Sequence, residues 1–227
     1  MDIAEAIGQR KSIRAFKSDP VPREILESIL EMAVRAPSWA NTQPWEFAIV
    51  SGTQLEEIRQ GFIEKAKEEP TSDIARPKEF PEPFNSRLRA VGAKLLEIRG
   101  IQREDKERRE WWRQQVLRHY GAPSVIYILI DRDFYFQGDD INVWPVFDCA
   151  LVAENIMLLA IKYGLGTIAL AQAVTHSGIV REVLGISDSK LMVLGIAIGY
   201  PDWDDAINQL HSDREPLESI AKWYGFD

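Results

Sequence analysis

The chain alternates short apolar runs with stretches of helical period. Ile3, Ala6 and Ile7 share one face of a short helix over residues 2–9. Pro20 and Pro22 then break the chain, and Pro22 suits a first helical position, where its missing N–H costs nothing. Ile25, Leu26, Ile29, Leu30, Ala33 and Val34 recur at helical spacing until Pro37 stops them. Residues 36–45 (APSWANTQPW) have no period and read as a loop; 46–50 read as a short strand, left by a turn at Ser51-Gly52. Leu55, Ile58 and Phe62 predict a helix over 53–68, and four prolines make 70–84 a loop. From Ser86 to about His119 the chain is strongly charged, with Leu88, Val91, Leu95, Leu96 and Ile98 at helical spacing and Gly100 as an interruption. Its most ionic part, 103–113, reads as a solvated helix face.

The second half is more apolar. Residues 125–130 (VIYILI) form a continuous apolar run, which predicts a strand buried on both faces. Residues 145–163 predict a helix that is apolar almost all round, and such a helix must be covered on most sides. A subunit interface is a natural cover. Gly164 and Gly166 follow it, then a strand over 167–171, a short helix over 179–184, a buried strand over 191–200 and a tail helix around 217–223. Helices interleaved with few strands predict an α+β or α/β fold with helices packed on a central sheet.

Composition narrows this picture. Of 227 residues 45% are hydrophobic, enough for a sizeable core, and the formal net charge of −8 argues against non-specific nucleic-acid binding. There is one cysteine, so no intrachain disulfide. No signal peptide and no uninterrupted apolar span is read, so the expectation is a cytoplasmic protein with no membrane and no nucleic-acid partner.

Against that acidic background, three cations and a hydroxyl fall within five residues: Arg10, Lys11, Ser12 and Arg14. Arginine forks and a serine hydroxyl suit phosphate oxygens. In an extended segment Arg10, Ser12 and Arg14 point one way, while Lys11 and Ile13 point the other. A helix-end charge cluster explains this segment alone equally well. Ser38, Asn41 and Gln43 could meet the polar edge of a heterocycle and Trp39 could wall it, although an ordinary loop explains them too. Gly164-Leu165-Gly166-Thr167 lacks the spacing of a dinucleotide fingerprint and precedes a strand. Cys149 reads as a small buried hydrophobe. His119, His176 and His211 have no metal spacing, and the pairs Asp139-Asp140 and Asp204-Asp205 read as solvated turns. No acid, base or nucleophile set is in view, and an enzyme of that kind can leave its chemistry to a cofactor.

RKSIRAF followed by a helix and APSWANTQPWEF resembles the FMN-dependent nitroreductase family. NIMLLAIKYGLGTIALAQ, VLGIAIGYPD and INQLHSDREPLESIAKW resemble its later motifs, in order and over nearly the whole chain. The resemblance implies one domain over 1–227: an α+β sandwich around a mostly antiparallel sheet, in an intertwined homodimer with FMN at the interface. It implies that Arg10, Lys11, Ser12 and Arg14 hold the phosphate and ribityl chain, and that Arg214 returns to the phosphate. Pro37, Ser38, Trp39 and Asn41 would approach from the other subunit, and Ala169, Leu170, Ala171 and Gln172 would line the isoalloxazine. The charged insert at about 70–119 would shape substrate choice, with Arg87, Arg89, Trp111 and Trp112 as substrate residues. The implied activity is ping-pong hydride transfer from NADH or NADPH to a nitroaromatic, quinone or similar small electron acceptor, with no catalytic side chain and no metal. Reductive dehalogenation, flavin modification and non-catalytic flavin sensing are the alternatives. Lys11, Trp39 and Ala171-Gln172 depart from common family residues.

Overall fold

The computed structural model describes residues 2–226; the first and last positions of the 1–227 domain reading lie outside them. In chain order the helices and strands are α1 (Ile3–Gln9), α2 (Arg23–Ala33), β1 (Glu46–Ser51), α3 (Gly52–Glu64), α4 (Phe84–Ile98), α5 (Lys106–Leu117), β2 (Ser124–Asp131), α6 (Arg132–Tyr135), β3 (Phe136–Gln137), β4 (Asp140–Ile141), α7 (Trp144–Lys162), β5 (Gly166–Leu170), α8 (Ser177–Leu184), β6 (Lys190–Gly199) and α9 (Leu217–Ile220). Four strands form an antiparallel sheet in the order β1-β2-β6-β5. Ser12 adds a parallel bridge to Thr167 at the β5 edge.

The period-2 geometry of β2 sorts its apolar run into two cores. Ile126, Ile128 and Ile130 pack with Val152, Ile156 and Ala160 of α7 and with Leu26 and Ile29 of α2. Val125, Tyr127 and Leu129 pack with Leu55, Ile58 and Phe62 of α3 and Val180 of α8. Helices on both faces explain why every residue of β2 from Ser124 to Ile130 is buried.

Helix α7 is long and apolar enough to cross a membrane by length and composition alone. Its Val152, Ile156 and Ala160 face the sheet instead, and Asp148 and Glu154 interrupt it. Trp144 and Phe147 stay exposed, as do Ile3 and Ile7 of α1, where only Ala6 is buried. The expected cover for these faces does not come from the protomer itself.

The structure moves some expected boundaries. Pro22 sits one position earlier than expected, as the N-cap of α2. α3 ends at Glu64, and the tail helix is a single turn. The α6 turn and the β3–β4 hairpin were not visible in the apolar pattern, because each is four residues or fewer. Asp205 departs from the solvated-turn reading: it caps the turn at Ala206–Gln209 and pairs with Arg99 at 2.8 Å. Gly100 does break the charged region, with a left-handed φ of 60°.

The proline-rich loop after α3 is fastened by Asp73, which pairs with the Arg181 guanidinium at 2.5 Å and accepts from Ser177 Oγ and the Met192 N–H. A second buried polar group has no such partners. His119 is fully buried between Phe62 and Tyr127, and neither ring nitrogen has a hydrogen-bond partner among the described residues. Burial first, and then the charge of Arg59, pushes its pKa down to about 3. Its folded pKa lies below its unfolded value of about 6.5, so its contribution is complete above pH 6.5 and is lost as pH falls towards 3. Between pH 6 and pH 4 this one group should remove on the order of 2 kcal/mol of stability. Urea midpoints at the two pH values, compared between wild type and His119→Phe, check it; an equal drop in both proteins would refute the assignment.

Candidate functional site

The basic segment is laid along the sheet edge by two anchors. Ile13 is buried, and its N–H donates to the Thr167 carbonyl at 3.0 Å. Asn208 is fully buried and bonds the main chain at Arg14 and Ala15 from the other side. The extended reading therefore holds for Ile13, which plugs the core. Ser12 and Arg14 follow the strand edge, and Arg14 Nη1 donates back to the Ser12 carbonyl at 3.2 Å. Arg14 Nε is buried and has no partner among the described residues. Its guanidinium also meets the hydroxyl of Tyr120, whose pKa burial raises.

The other cations diverge. Arg10 Nε lies 3.4 Å from Glu154 of α7. Lys11 turns away from Ser12 and Arg14, as its alternation required: Nζ sits 3.3 Å from His211 Nε2 and 5.0 Å above the Trp203 ring. Desolvation lowers its pKa. Both residues line a cleft of about 330 Å³ with Ile161, Gly166, Thr167 and Pro201. Arg214 is exposed and, among the described residues, bonds its neighbours Ser212 and Asp213 and not the Arg14 segment.

Ala169 and Leu170 end β5 next to this segment, and Ala171 and Gln172 follow in the 3-10 turn Ala171–Val174. Ala169 and Ala171 are exposed, Gln172 is half-buried and Leu170 is buried in the core. The close approach of the basic segment to β5 is permitted by Gly166, where a side chain would run into Ile13 and Pro201.

Pro37, Ser38, Trp39 and Asn41 lie elsewhere. Asp148, buried on the second turn of α7, accepts the Trp39 N–H at 3.2 Å. Ser38 Oγ accepts the Gln43 N–H, and Ala40, Asn41 and Gln43 adopt left-handed φ values. Trp39 stacks edge-on against Trp144, 4.8 Å between centroids. The cleft along Pro37, Ser38, Trp39, Phe147, Asp148 and Leu151 shares no residue with the Arg10–Lys11 cleft. Asp148 and Ile161 are about 20 Å apart along the helix. Asp148 and Asn208 position both halves of the site, yet nothing in the sequence singles them out: one sits in an apolar helix, the other in a turn.

Of the four insert residues, Arg89 and Trp112 line one cleft between α4 and α5. Arg87 pairs with Glu215 at 2.7 Å, and Trp111 is exposed outside the cleft. Cys149 is buried, and its thiol is pushed up to about 12, chiefly by that burial. No cluster of metal-ligating side chains occurs among the described residues.

A helix-flanked antiparallel sheet with a basic segment laid along its edge strand defines a class: the FMN-dependent oxidoreductase fold of the nitroreductases. The sequence profile of the nitroreductase family matches residues 7–200, and the chain belongs to that family. It is 29% identical to nitroreductase NfnB of Mycolicibacterium smegmatis over 229 residues, covering 98% of this chain and 94% of the relative. The crystal structure of an FMN and NADPH-dependent nitroreductase NfnB from Sphigopyxis sp. strain HMH superposes with a TM-score of 0.91 at 30% identity, over 100% of both chains. The chain is also 42% identical over 220 residues to an iodotyrosine deiodinase of Daphnia pulex, covering 96% of this chain and 64% of that protein.

Proposed function

We propose that the protein is an FMN-dependent NAD(P)H oxidoreductase that reduces nitroaromatics, quinones or similar small electron acceptors, working as a cytoplasmic homodimer. The observation that carries this is Arg14: a half-buried side chain whose Nε is buried and has no partner among the described residues, beside Ser12 on the edge of β5. An unpaired buried donor is costly, and a phosphate oxygen relieves it. Ser12, Arg14 and Arg10 would hold the phosphate, and Ala169, Ala171 and Gln172 would border the ring. FMN, when bound, supplies hydride acceptance and donation. The chain's own residues bind and orient it, leave one side open and place donors near developing negative charge.

The same geometry supports the homodimer. Pro37, Ser38, Trp39 and Asn41 lie against a different part of α7 from the basic segment, so one flavin would meet both sets if they came from two copies. Exposed Trp144 and Phe147, Ile3 and Ile7, and the tail residues Leu217, Ile220, Trp223 and Tyr224 supply apolar surface for that contact. The partner's tail would then bring the second arginine, Arg214, to the phosphate. We read the whole chain as one FMN-binding domain whose insert at about 70–119 borders the active site.

The purified protein should be yellow, with a flavin spectrum that NAD(P)H bleaches and a nitroaromatic or quinone restores. A colourless protein that FMN cannot reconstitute overturns the reading, and flavin binding without NAD(P)H oxidation would make it a sensor. Arg14→Ala should weaken FMN at least about tenfold in a fluorescence titration, the loss of roughly one charge-assisted contact. Reductive dehalogenation is the second reading, favoured by the identity to the deiodinase; halide release from halotyrosines by the reduced protein tests it.

A further inference from the structure

The insert contains a cation-rich cleft. Between α4 and α5 a hollow of about 780 Å³ is lined by Arg89, Arg103, Arg109 and Arg113, with Glu97 as its single acid. In a chain of net charge −8 that is a local reversal of sign.

Ion pairing in the insert divides by face. Arg87 pairs with Glu215, Lys94 with Asp213 and Arg99 with Asp205, so the cations turned towards the 205–215 segment are neutralised. Those turned to the cleft are not. Among the described residues Arg89, Arg103 and Arg109 have no carboxylate partner, and only Arg113 is paired, with Glu110. Arg109 reaches no further than the Arg103 carbonyl, at 3.5 Å.

The floor of the cleft is apolar: Leu96, the buried Ile101 and the indole of Trp112. Trp112 lies under the Arg99 guanidinium and packs on Tyr120, 5.7 Å between centroids. Tyr120 in turn meets Arg14. One aromatic pair thus separates the cleft from the phosphate-binding segment.

An aromatic floor under several unpaired guanidinia fits a base carrying more than one phosphate. A single aryl carboxylate would use two oxygens and leave guanidinia unpaired, whereas a hollow of this volume accepts a whole nucleotide. We propose that the α4–α5 cleft binds the phosphorylated adenosine end of NADPH, with Arg103 and Arg109 on the 2′-phosphate, and so selects NADPH over NADH. The assignment rests on the flavin-oxidoreductase reading above.

The test uses the FMN-loaded protein and calorimetric titration with adenosine 2′,5′-bisphosphate and with adenosine 5′-monophosphate, the corresponding fragments of NADPH and NADH. The bisphosphate should bind at least about tenfold more tightly, roughly one charge-assisted contact's worth. The double variant Arg103→Gln/Arg109→Gln should lose that preference, and its NADPH-to-NADH ratio of kcat/KM should fall about tenfold while flavin content is unchanged. Equal binding of the two nucleotides by wild type, a preference that survives in the double variant, or binding of benzoate in place of the bisphosphate would each overturn the proposal. Failure of the flavin reading shows separately, as a protein that takes up no FMN before any nucleotide is added.

Discussion

Asn208→Ala is expected to destabilise the protein by about 3 kcal/mol and to strip it of flavin. Asn208 is fully buried and makes four contacts with main chain. Its Oδ1 accepts the Arg14 N–H at 2.8 Å and the Ala15 N–H at 3.2 Å. Its Nδ2 donates to the carbonyls of Ala15 and Asp202, both at 2.7 Å. Alanine removes all four partners at once. Each orphaned buried group costs roughly 1–3 kcal/mol, and water entering the vacated volume repairs part of the loss, so the net falls well short of the sum. The functional effect is larger than the energy implies, because the freed backbone is that of Arg14 itself. Urea unfolding at fixed protein concentration and the flavin absorbance per protein measure the two effects. Asn208→Asp keeps the acceptor but sets a buried carboxylate oxygen against the Ala15 and Asp202 carbonyls, so at neutral pH it should be at least as damaging as alanine. Full flavin content in Asn208→Ala would show that the basic segment is held without this clamp.

The contrast between Ile13 and Asn208 shows what was legible in the sequence. Alternation alone set Ile13 on the side away from Ser12 and Arg14, because a two-residue period decides which side chain faces in, and the structure buries it in the core. The same reasoning turned Lys11 away from Ser12 and Arg14, and Lys11 meets His211 and Trp203. Long apolar runs were equally readable: β2 and α7 lie within a residue or two of where hydrophobicity alone puts them. The polar positioning residues were not. Asp148, Asp73 and Asn208 act on backbone groups 109, 119 and up to 194 positions away in the chain. No local period records such a partner, and a buried carboxylate looks the same in sequence as a surface one. The two-residue strands and the one-turn helix α6 escaped for a simpler reason, having too few residues to show a period. Arg10 paired with Glu154 was also invisible beforehand. Its carboxylate neighbour competes with a phosphate for the guanidinium, which leaves Arg14 the better-prepared ligand.

Gly166→Ala should be the most damaging single methyl that can be added to the site: about 2 kcal/mol of stability and more than about tenfold in FMN affinity. Gly166 opens β5 opposite Gly199, and here space, not backbone freedom, demands glycine. A Cβ at this position would collide with Ile13 Cγ1 and lie 2.7 Å from Pro201 Cγ. Neither neighbour can yield cheaply. Pro201 is a buried ring, and Ile13 is buried with its N–H bonded to the Thr167 carbonyl. The segment must therefore lift from the strand edge, taking Ser12 off its bridge to Thr167 and carrying Arg14 with it. A double-mutant cycle isolates this mechanism. Ile13→Ala alone should cost about 2–5 kcal/mol through the cavity it leaves. In the Gly166→Ala background the added methyl fills part of that cavity and the clash with Ile13 Cγ1 is gone, while the close contact with Pro201 stays. The two costs should then fall short of additive by at least about 1 kcal/mol, with FMN affinity recovering in parallel. Strict additivity would mean that Gly166 serves the strand alone. Coupling in both stability and FMN affinity would show that one point of contact, Ile13 against Gly166, sets how closely the phosphate-binding segment lies along the sheet.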